Sequence, residues 1–588
     1  MSRQYTDIQE SPASDWSRRR GLVLFGFACL ALALIGRAVQ VQIINDKFYR
    51  NEGQQRQIRT VAIPASRGDL LDRHGDPLAI SAPIPSLFGN PAELSAQPAK
   101  LRQAASLLGE NPDKLEQRMA RAASQGRVFA YIKRQVAPEL VDRVMALDLK
   151  SLGVQSEYRR YYPSAGAASH VVGFTGIDET GREGLELAYD SWLSGKPGLR
   201  RILKDRKGRE IAGMNVIDPA VPGKDLRLSI DRQLQYFANR ALQEAVSENA
   251  AESGSIVIMD VKTGEVMAMV NYPTYNPNDV ADRVGGRQRN RSLTDVFEPG
   301  STMKPFTIAA ALDSGKFKPE DIVYTSPGYY SIGKYVISDD GKDHGWLDLT
   351  GIVTKSSNVG ISKVARQLEA EQMWSVFDSF GFGRPPGSEF PGEVDGYFNP
   401  PAVWHHIEQA SVSYGYGISV SALQLVHAYA ALANDGVMMP VSFLAQDSDT
   451  VPAGHSVIDE DIAHDVKRML ESVVIEGSGK QARIPGYRVA GKTGTSHRSQ
   501  SGGYAEDRYV SVFAGFAPAT NPQLAAVVVV HDPKNGKHFG GAVAAPVFAE
   551  VMSHGLRLEG VEPDDIDGSR DQVSVQFIPQ QIDNGGRS

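Results

Sequence analysis

Apolar residues are distributed along this chain in three ways, and each predicts a different structure. Residues 21–36 run without a charge, which predicts a membrane-spanning helix. As helix that stretch covers only ~24 Å of a hydrocarbon core of ~30 Å, so the span is expected to continue to residue 44, with Arg37 snorkelling or meeting a partner. Residues 97–150 alternate charged and apolar positions at helical spacing, as in 101–108 and 138–147, and predict amphipathic helices. Beyond about residue 225 the apolar runs become short and are separated by turn residues.

In that third region, residues 226–230 read as a strand, and Asp231 opens an amphipathic helix through Leu234, Phe237, Leu242 and Val246. Residues 255–260 and 265–270 predict a hairpin about Lys262-Thr263-Gly264, apolar on both faces and therefore a central pair. A helix is expected to start beside Ser301, another to cover 351–368, and a buried one 419–434. Residues 487–495, 509–516 and 524–530 predict three more strands, the last two joined by a turn at 518–523, and 543–556 a closing helix. Five antiparallel strands flanked by helices make an α+β domain of roughly 340 residues.

Before it, residues 45–60 are polar and read as a linker. The block Arg67-Gly68-Asp69 to Leu78-Ala79 contains the turn signals His74-Gly75 and Asp76-Pro77, predicting a hairpin held by Arg/Asp pairs. A second charged block holds Arg159-Arg160, His170 and Gly181-Arg182-Glu183. Neither groups a nucleophile with a base, so 45–224 reads as a structural pedestal with buried ion pairs. The expected layout is a tail at 1–20, an anchor at 21–44, the pedestal, a second domain at 225–559 and a disordered tail at 560–588.

Composition narrows the function. The 588 residues are 41% hydrophobic and 22% charged, and a net charge of −7 without a basic stripe argues against nucleic acid as partner. The single cysteine, Cys29, excludes an intrachain disulfide and a cysteine metal site. Twelve histidines show no metal-ligand spacing, so no metal or cofactor is expected. Arg18-Arg19-Arg20 places the N-terminus in the cytoplasm and the remainder outside. A cleaved signal peptide is the alternative, with Ala31-Leu32-Ala33 as its site, but more apolar residues follow that triplet.

The candidate chemistry centres on Glu298-Pro299-Gly300-Ser301-Thr302-Met303-Lys304-Pro305. Pro305 is tolerable only in a first helical turn, so Ser301 and Lys304 stand one turn apart near a helix N-terminus, whose partial positive charge favours developing anions. Serine needs a base to become a nucleophile. Lysine can serve only if neutral, which asks for burial and a second cation. Downstream, Ser356-Ser357-Asn358 lies in a helix and Lys492-Thr493-Gly494-Thr495 in a strand. Lys492 supplies the cation, Ser356 can relay a proton, and Asn358 can hold Lys304 or a substrate amide. Thr493 and Thr495, two apart on one strand face, can grip a carboxylate, and Gly494 lets a backbone lie close. A strict pleat, however, points Lys492 away from the threonines. A rival of another class is present: Gly486 to Thr493 matches the phosphate-loop pattern of nucleotide-binding proteins, and Val527–Val530 with Asp532 resembles their acidic strand. Pro485 before it and the Ser/Gly-rich stretch after it suit neither the strand nor the helix such a loop needs.

Ser-x-x-Lys, Ser-x-Asn and Lys-Thr-Gly in this order resemble the penicillin-binding protein and serine β-lactamase superfamily. The blocks at 67–79, 159–176 and 181–186 resemble the pedestal of class B penicillin-binding proteins, and with Tyr414-Gly415-Tyr416-Gly417 the set looks most like their division-specific, FtsI-type transpeptidases. The resemblance implies a serine acyl-enzyme that joins peptidoglycan stem peptides and reacts with β-lactams. It implies Ser301 as nucleophile, Lys304 as base, Ser356 and Asn358 as relay, Lys492 and Thr493 at the substrate carboxylate, and the Ser301 and Thr495 N–H groups as oxyanion hole, with Tyr414 and Tyr416 lining the cleft. Implied partners are division proteins, including a lipid II-polymerising glycosyltransferase, at the bacterial inner membrane. An elongation-type transpeptidase and a D,D-carboxypeptidase remain open; a β-lactamase would need a water-activating Glu that the sequence does not place.

Overall fold

The structure is a computed structural model describing residues 14–49, 58–204, 210–447, 449, 451–500 and 503–565. Two compact units interleave along the chain. One comprises Met1–Ala65, Ile84–Glu157 and Lys196–Val221, the other Ser66–Pro83, Tyr158–Gly195 and Pro222–Ser588.

In the first unit the apolar helix Ser14–Val39 continues into a wider π-helical turn, Gln40–Ile44. Among the described residues it is the one helix long and apolar enough to cross a bilayer. Arg37 does meet a partner, donating from Nη1 to Gln40 Oε1 at 2.7 Å, one turn along. The rest of the unit has a three-stranded antiparallel sheet, Ile58–Ile63, Gly198–Lys204 and Glu210–Asp218. The expected helices appear at Pro98–Leu107 and Pro138–Met145, with another at Pro112–Ser124. Each starts with proline in its first turn, where no intrahelical partner is lost. Their apolar faces form a core of Leu101, Leu115, Met119, Val144 and neighbours.

The second unit holds the buried ion pairs. Arg67 Nε meets Glu186 Oε2 at 2.6 Å, Arg160 Nε meets Glu186 Oε1 at 2.7 Å, and Arg67 Nη1 reaches Asp190 at 2.6 Å. These pairs join distant segments instead of closing the hairpin, as the sequence had suggested. The hairpin turn is held by Asp72 Oδ1, which accepts from the His74 and Asp76 N–H groups. Removing one arginine of this triad would strand a buried carboxylate, the expensive way to break such a network.

The sheet of this unit runs in the order β2-β1-β5-β4-β3, all antiparallel, with β1 Ser253–Asp260, β2 Val266–Tyr272, β3 Ala490–Gln500, β4 Gly503–Ala517 and β5 Leu524–His531. The expected central hairpin has its second strand at the sheet edge. Its continuous apolar character has a plain cause, since both faces are covered. Ile256, Ile258, Val528 and Val530 face helices α1 (Arg232–Glu248) and α6 (Gly540–Leu558). Val257, Met259, Val527 and Val529 face the opposite core, which holds α2 (Lys304–Asp313) and α5 (Ala422–Ala433). Asp231 caps α1 by accepting from Leu234 N, and a capping box of Ser421 and Gln424 starts α5, every residue of which is buried.

Two readings change. The strand at 226–230 shortens to Leu226–Arg227. The helix at 351–368 is two, α3 Leu349–Lys355 and α4 Asn358–Ala365, with Ser356 left-handed at φ 60° between them. As expected, the stretch from Gly486 leads into β3 rather than opening a helix, so no phosphate loop forms. Of the expected disordered tail, 561–565 lie against the domain, where the Val561 carbonyl accepts from Tyr487 and Asp564 from Arg488 N; 566–588 fall outside the described residues.

Candidate active site

Ser301 lies in a 3₁₀ turn, Gly300–Met303, that runs directly into α2, so Lys304 is the first α-helical residue and Pro305 follows in the first turn. The turn is held from three sides. Tyr429 on α5 donates to the Thr302 carbonyl at 2.9 Å, and Thr302 Oγ1 donates to the Pro299 carbonyl at 2.8 Å. Gly300 N donates to the Gly415 carbonyl at 3.2 Å, and a Cβ on Gly415 would sit 2.1 Å from the Gly300 oxygen. Only glycine fits there. This makes the Tyr414–Gly417 segment a wall of the site, where the Tyr414 and Tyr416 rings lie 5.5 Å apart, half-buried, with Tyr504 beyond at 5.7 Å.

The break between α3 and α4 is where the second group comes from. Ser357 caps α4 through Gly360 N, which obliges the chain to turn at Ser356. The left-handed conformation there brings both the Ser356 carbonyl and its hydroxyl to Lys304, whose Nζ donates to the carbonyl at 2.5 Å, to Ser356 Oγ at 3.1 Å and to Asn358 Oδ1 at 2.7 Å. Ser356 Oγ donates to Ser301 Oγ at 3.0 Å, and Lys492 Nζ donates to Ser356 Oγ at 3.0 Å. Among the described residues no direct hydrogen bond joins Lys304 to Ser301. The two are linked through Ser356.

Both lysines are wholly buried. Burial, reinforced by the Lys492 charge and opposed by Asp339 and Asp340, pushes the Lys304 amine well below its ordinary value. Burial pushes Lys492 down to about 7. An ammonium at Lys304 has three protons for its three acceptors. A neutral amine keeps two and turns its lone pair to the Ser356 hydroxyl, which is the arrangement that can draw a proton from Ser301.

The pleat holds on β3. Lys492 and Gly494 point to the face carrying Ser301, and a Cβ on Gly494 would lie 2.6 Å from the Pro299 carbonyl oxygen. Gly494 is therefore needed by the protein's own 3₁₀ turn, rather than left open for a substrate backbone. Thr493 and Thr495 point to the other face, where Thr493 Oγ1 lies 2.6 Å from Ser478 Oγ and Thr495 Oγ1 accepts from Gly540 N at 3.0 Å. Because β3 is an edge strand, its rim is shared by both faces. The Thr495 backbone also abuts the nucleophile turn, its carbonyl oxygen 3.2 Å from where a Gly300 Cβ would be.

Residues 254–553 match the penicillin-binding protein transpeptidase domain, and residues 62–228 the penicillin-binding protein dimerisation domain. The chain is 40% identical over 588 residues to the peptidoglycan D,D-transpeptidase FtsI of Escherichia coli, covering 99% of this chain and 98% of that one. The chain belongs to the penicillin-binding protein transpeptidase family. It is also 38% identical to the probable peptidoglycan D,D-transpeptidase PbpC of Pseudomonas aeruginosa, over 93% of this chain and 96% of that one. The apo transpeptidase domain of penicillin-binding protein 3 from Burkholderia pseudomallei superposes with a TM-score of 0.53 at 41% identity, covering 57% of this chain and 97% of that one.

This penicillin-binding protein carries site residues that motif reading passed over. Glu298 Oε1 accepts from Gly417 N at 2.8 Å and Tyr504 Oη at 3.0 Å, its Oε2 is buried without a partner, and burial pushes its carboxyl up. Ser478 stands against Thr493 from a loop fourteen positions upstream of Lys492. Sequence offers no signal for Ser478, whereas Glu298 was visible inside the Ser301 stretch.

Burying Lys492 opposes folding. Its folded value of about 7 against the ordinary 10.5 means the unfolded chain binds the extra proton between those limits. Stability is thus fullest above pH 10.5 and is lost as pH falls to about 7, by up to about 5 kcal/mol. Lys492→Met is expected to melt higher than wild type at pH 7, the gap closing as pH rises toward 10.5; a gap that is constant with pH would contradict a lysine whose charged form is disfavoured by burial.

Proposed function

We propose that this transpeptidase cross-links peptidoglycan stem peptides through an acyl-enzyme on Ser301, with the observation that carries it being the Ser301–Ser356–Lys304 chain of hydroxyl and amine contacts beside a second buried lysine. Ser301 Oγ attacks the carbonyl of the penultimate D-alanine. Its proton passes through Ser356 to neutral Lys304, and the Ser301 and Thr495 N–H groups receive the oxyanion. As the C–N bond breaks, the proton returns to the departing D-alanine. The acceptor amine of a neighbouring stem then attacks the ester, yields its proton by the same route and regenerates Ser301. Lys492 with Thr493 and Thr495 holds the terminal carboxylate at the rim of β3, Asn358 orients Lys304, and Tyr414 and Tyr416 line the cleft. β-Lactams enter the same path and stop at the ester.

The apolar helix Ser14–Val39 anchors the chain in the membrane. With the basic cluster at 18–20 on the cytoplasmic side, the catalytic domain works outside the inner membrane, at the division septum beside other division proteins, including a glycosyltransferase that supplies glycan from lipid II. The name of the Escherichia coli relative supports the division role. The test supplies the detergent-solubilised full chain with nascent uncross-linked peptidoglycan. Cross-linked dimers with released D-alanine, both abolished by benzylpenicillin, are expected. D-alanine released without dimers would replace the transpeptidase reading by the carboxypeptidase one.

A further inference from the structure

The turn that feeds Lys304 its acceptors is itself held by a carboxylate from another segment. Asp339 follows the short strand Tyr335–Ser338, which pairs with Tyr329–Ile332, and its side chain is buried against the start of α4. Asp339 Oδ2 accepts from Ser357 Oγ at 2.5 Å and Oδ1 from Val359 N at 2.9 Å. The Ser357 hydroxyl thereby serves twice, donating to Asp339 while accepting from Gly360 N at 2.8 Å. The preceding carbonyl, of Ser338, accepts from Asn358 Nδ2 at 3.1 Å, which leaves Asn358 Oδ1 aimed at Lys304. Asp339 is itself fixed by its backbone, through Asp339 N to the Gly328 carbonyl and Lys342 N to its own carbonyl.

We propose that Asp339 is a positioning residue for the reaction: it locks the Ser356–Asn358 turn so that three acceptors face the Lys304 amine, and it sets a negative charge against the positive charge of Lys492. A carboxylate at a helix N-terminus is favourable in itself, and here the helix start is also the active-site turn. The charged groups that act on Lys304 are Lys492 from β3 and Asp339 and Asp340 from the 339–342 turn; α3 and α4 offer it only the neutral Ser356 and Asn358. Lys492 favours the neutral amine and Asp339 the ammonium, so the balance between them sets where on the pH scale the base becomes available. The strand pair at 329–338 thus belongs to the machinery through the Ser338 carbonyl and the Asp339 side chain that follows it, although neither touches the reacting atoms.

This rests on Ser301 as nucleophile and Lys304 as base, and the test separates the two. The full chain in detergent is titrated with a fluorescent penicillin, and the second-order acylation rate is followed from about pH 5 to 10. Asp339→Asn keeps an acceptor for Val359 N and removes the charge. Its acid limb is expected to move to lower pH by up to about one unit, with the alkaline plateau within about threefold of wild type. Asp339→Ala loses both the charge and the lock, so the limb shifts and the plateau falls about tenfold or more. An Asp339→Asn profile that superposes on wild type would overturn the proposal. So would a plateau loss shared equally by both variants and matched by a lowered melting temperature, which is what a merely structural residue would give. In either case labelling of wild type at Ser301 leaves the acyl-enzyme reading standing.

Discussion

Ser301→Ala is expected to take up no benzylpenicillin at all, while wild type gains one covalent adduct visible by intact mass. The alcohol at 301 is the one hydroxyl that meets the Ser356 relay from a half-buried, reachable position, ahead of the fully buried run that starts at Thr302. Ser356 cannot substitute for it, because its hydroxyl already serves two lysines. The variant should fold normally, since loss of one half-exposed hydroxyl removes a single hydrogen bond, about 1 kcal/mol. Equal adducts on both proteins would assign the nucleophile elsewhere.

Lys304 carries the second large effect. Lys304→Ala removes the proton acceptor and is expected to slow acylation by about 10²–10⁴-fold. Lys304→Arg is the sharper variant, because a guanidinium keeps the charge but stays protonated at every accessible pH. It should be as slow as alanine if the residue works as a base, and near wild type if it works as a fixed cation. The wild-type rate should fall as pH drops through the lowered Lys304 value, and that limb should vanish in Lys304→Ala. The readout is the acylation rate against pH; a surviving limb in the alanine variant would assign it to another group.

The parts of this fold legible in the sequence are those where one residue's neighbours in the chain decide its state. β1 and β5 could be read because helices cover both sheet faces, which demands apolar residues throughout. Asp231 and the Ser421–Gln424 pair announced their helices by capping chemistry. The same chemistry contained the missed break: Ser356-Ser357-Asn358 is a run of capping residue types, and a helical pattern laid across it concealed the turn. Lys262-Thr263-Gly264 sits in the β1–β2 connection, where the predicted hairpin put its turn. The polar extensions of β3 and β4, residues 496–500 and 503–508, were invisible to an apolar pattern. The meeting of Ser301, Ser356 and Lys492 in one cluster was implied by the family resemblance of their motifs, whereas the contacts of Asp339 with Ser357 and of Ser478 with Thr493 follow only from tertiary approach.

Ser356 leaves a practical mark on inhibitor chemistry. A hydroxyl has one proton to give and two lone pairs to offer, and here the proton goes to Ser301 while the lone pairs go to Lys304 and Lys492. No hydrogen-bonding capacity is left over. A drug substituent designed to bond Ser356 would first have to displace a lysine from that hydroxyl, so affinity is better sought at the partly buried Thr495 on the edge strand than at the bottom of the cleft.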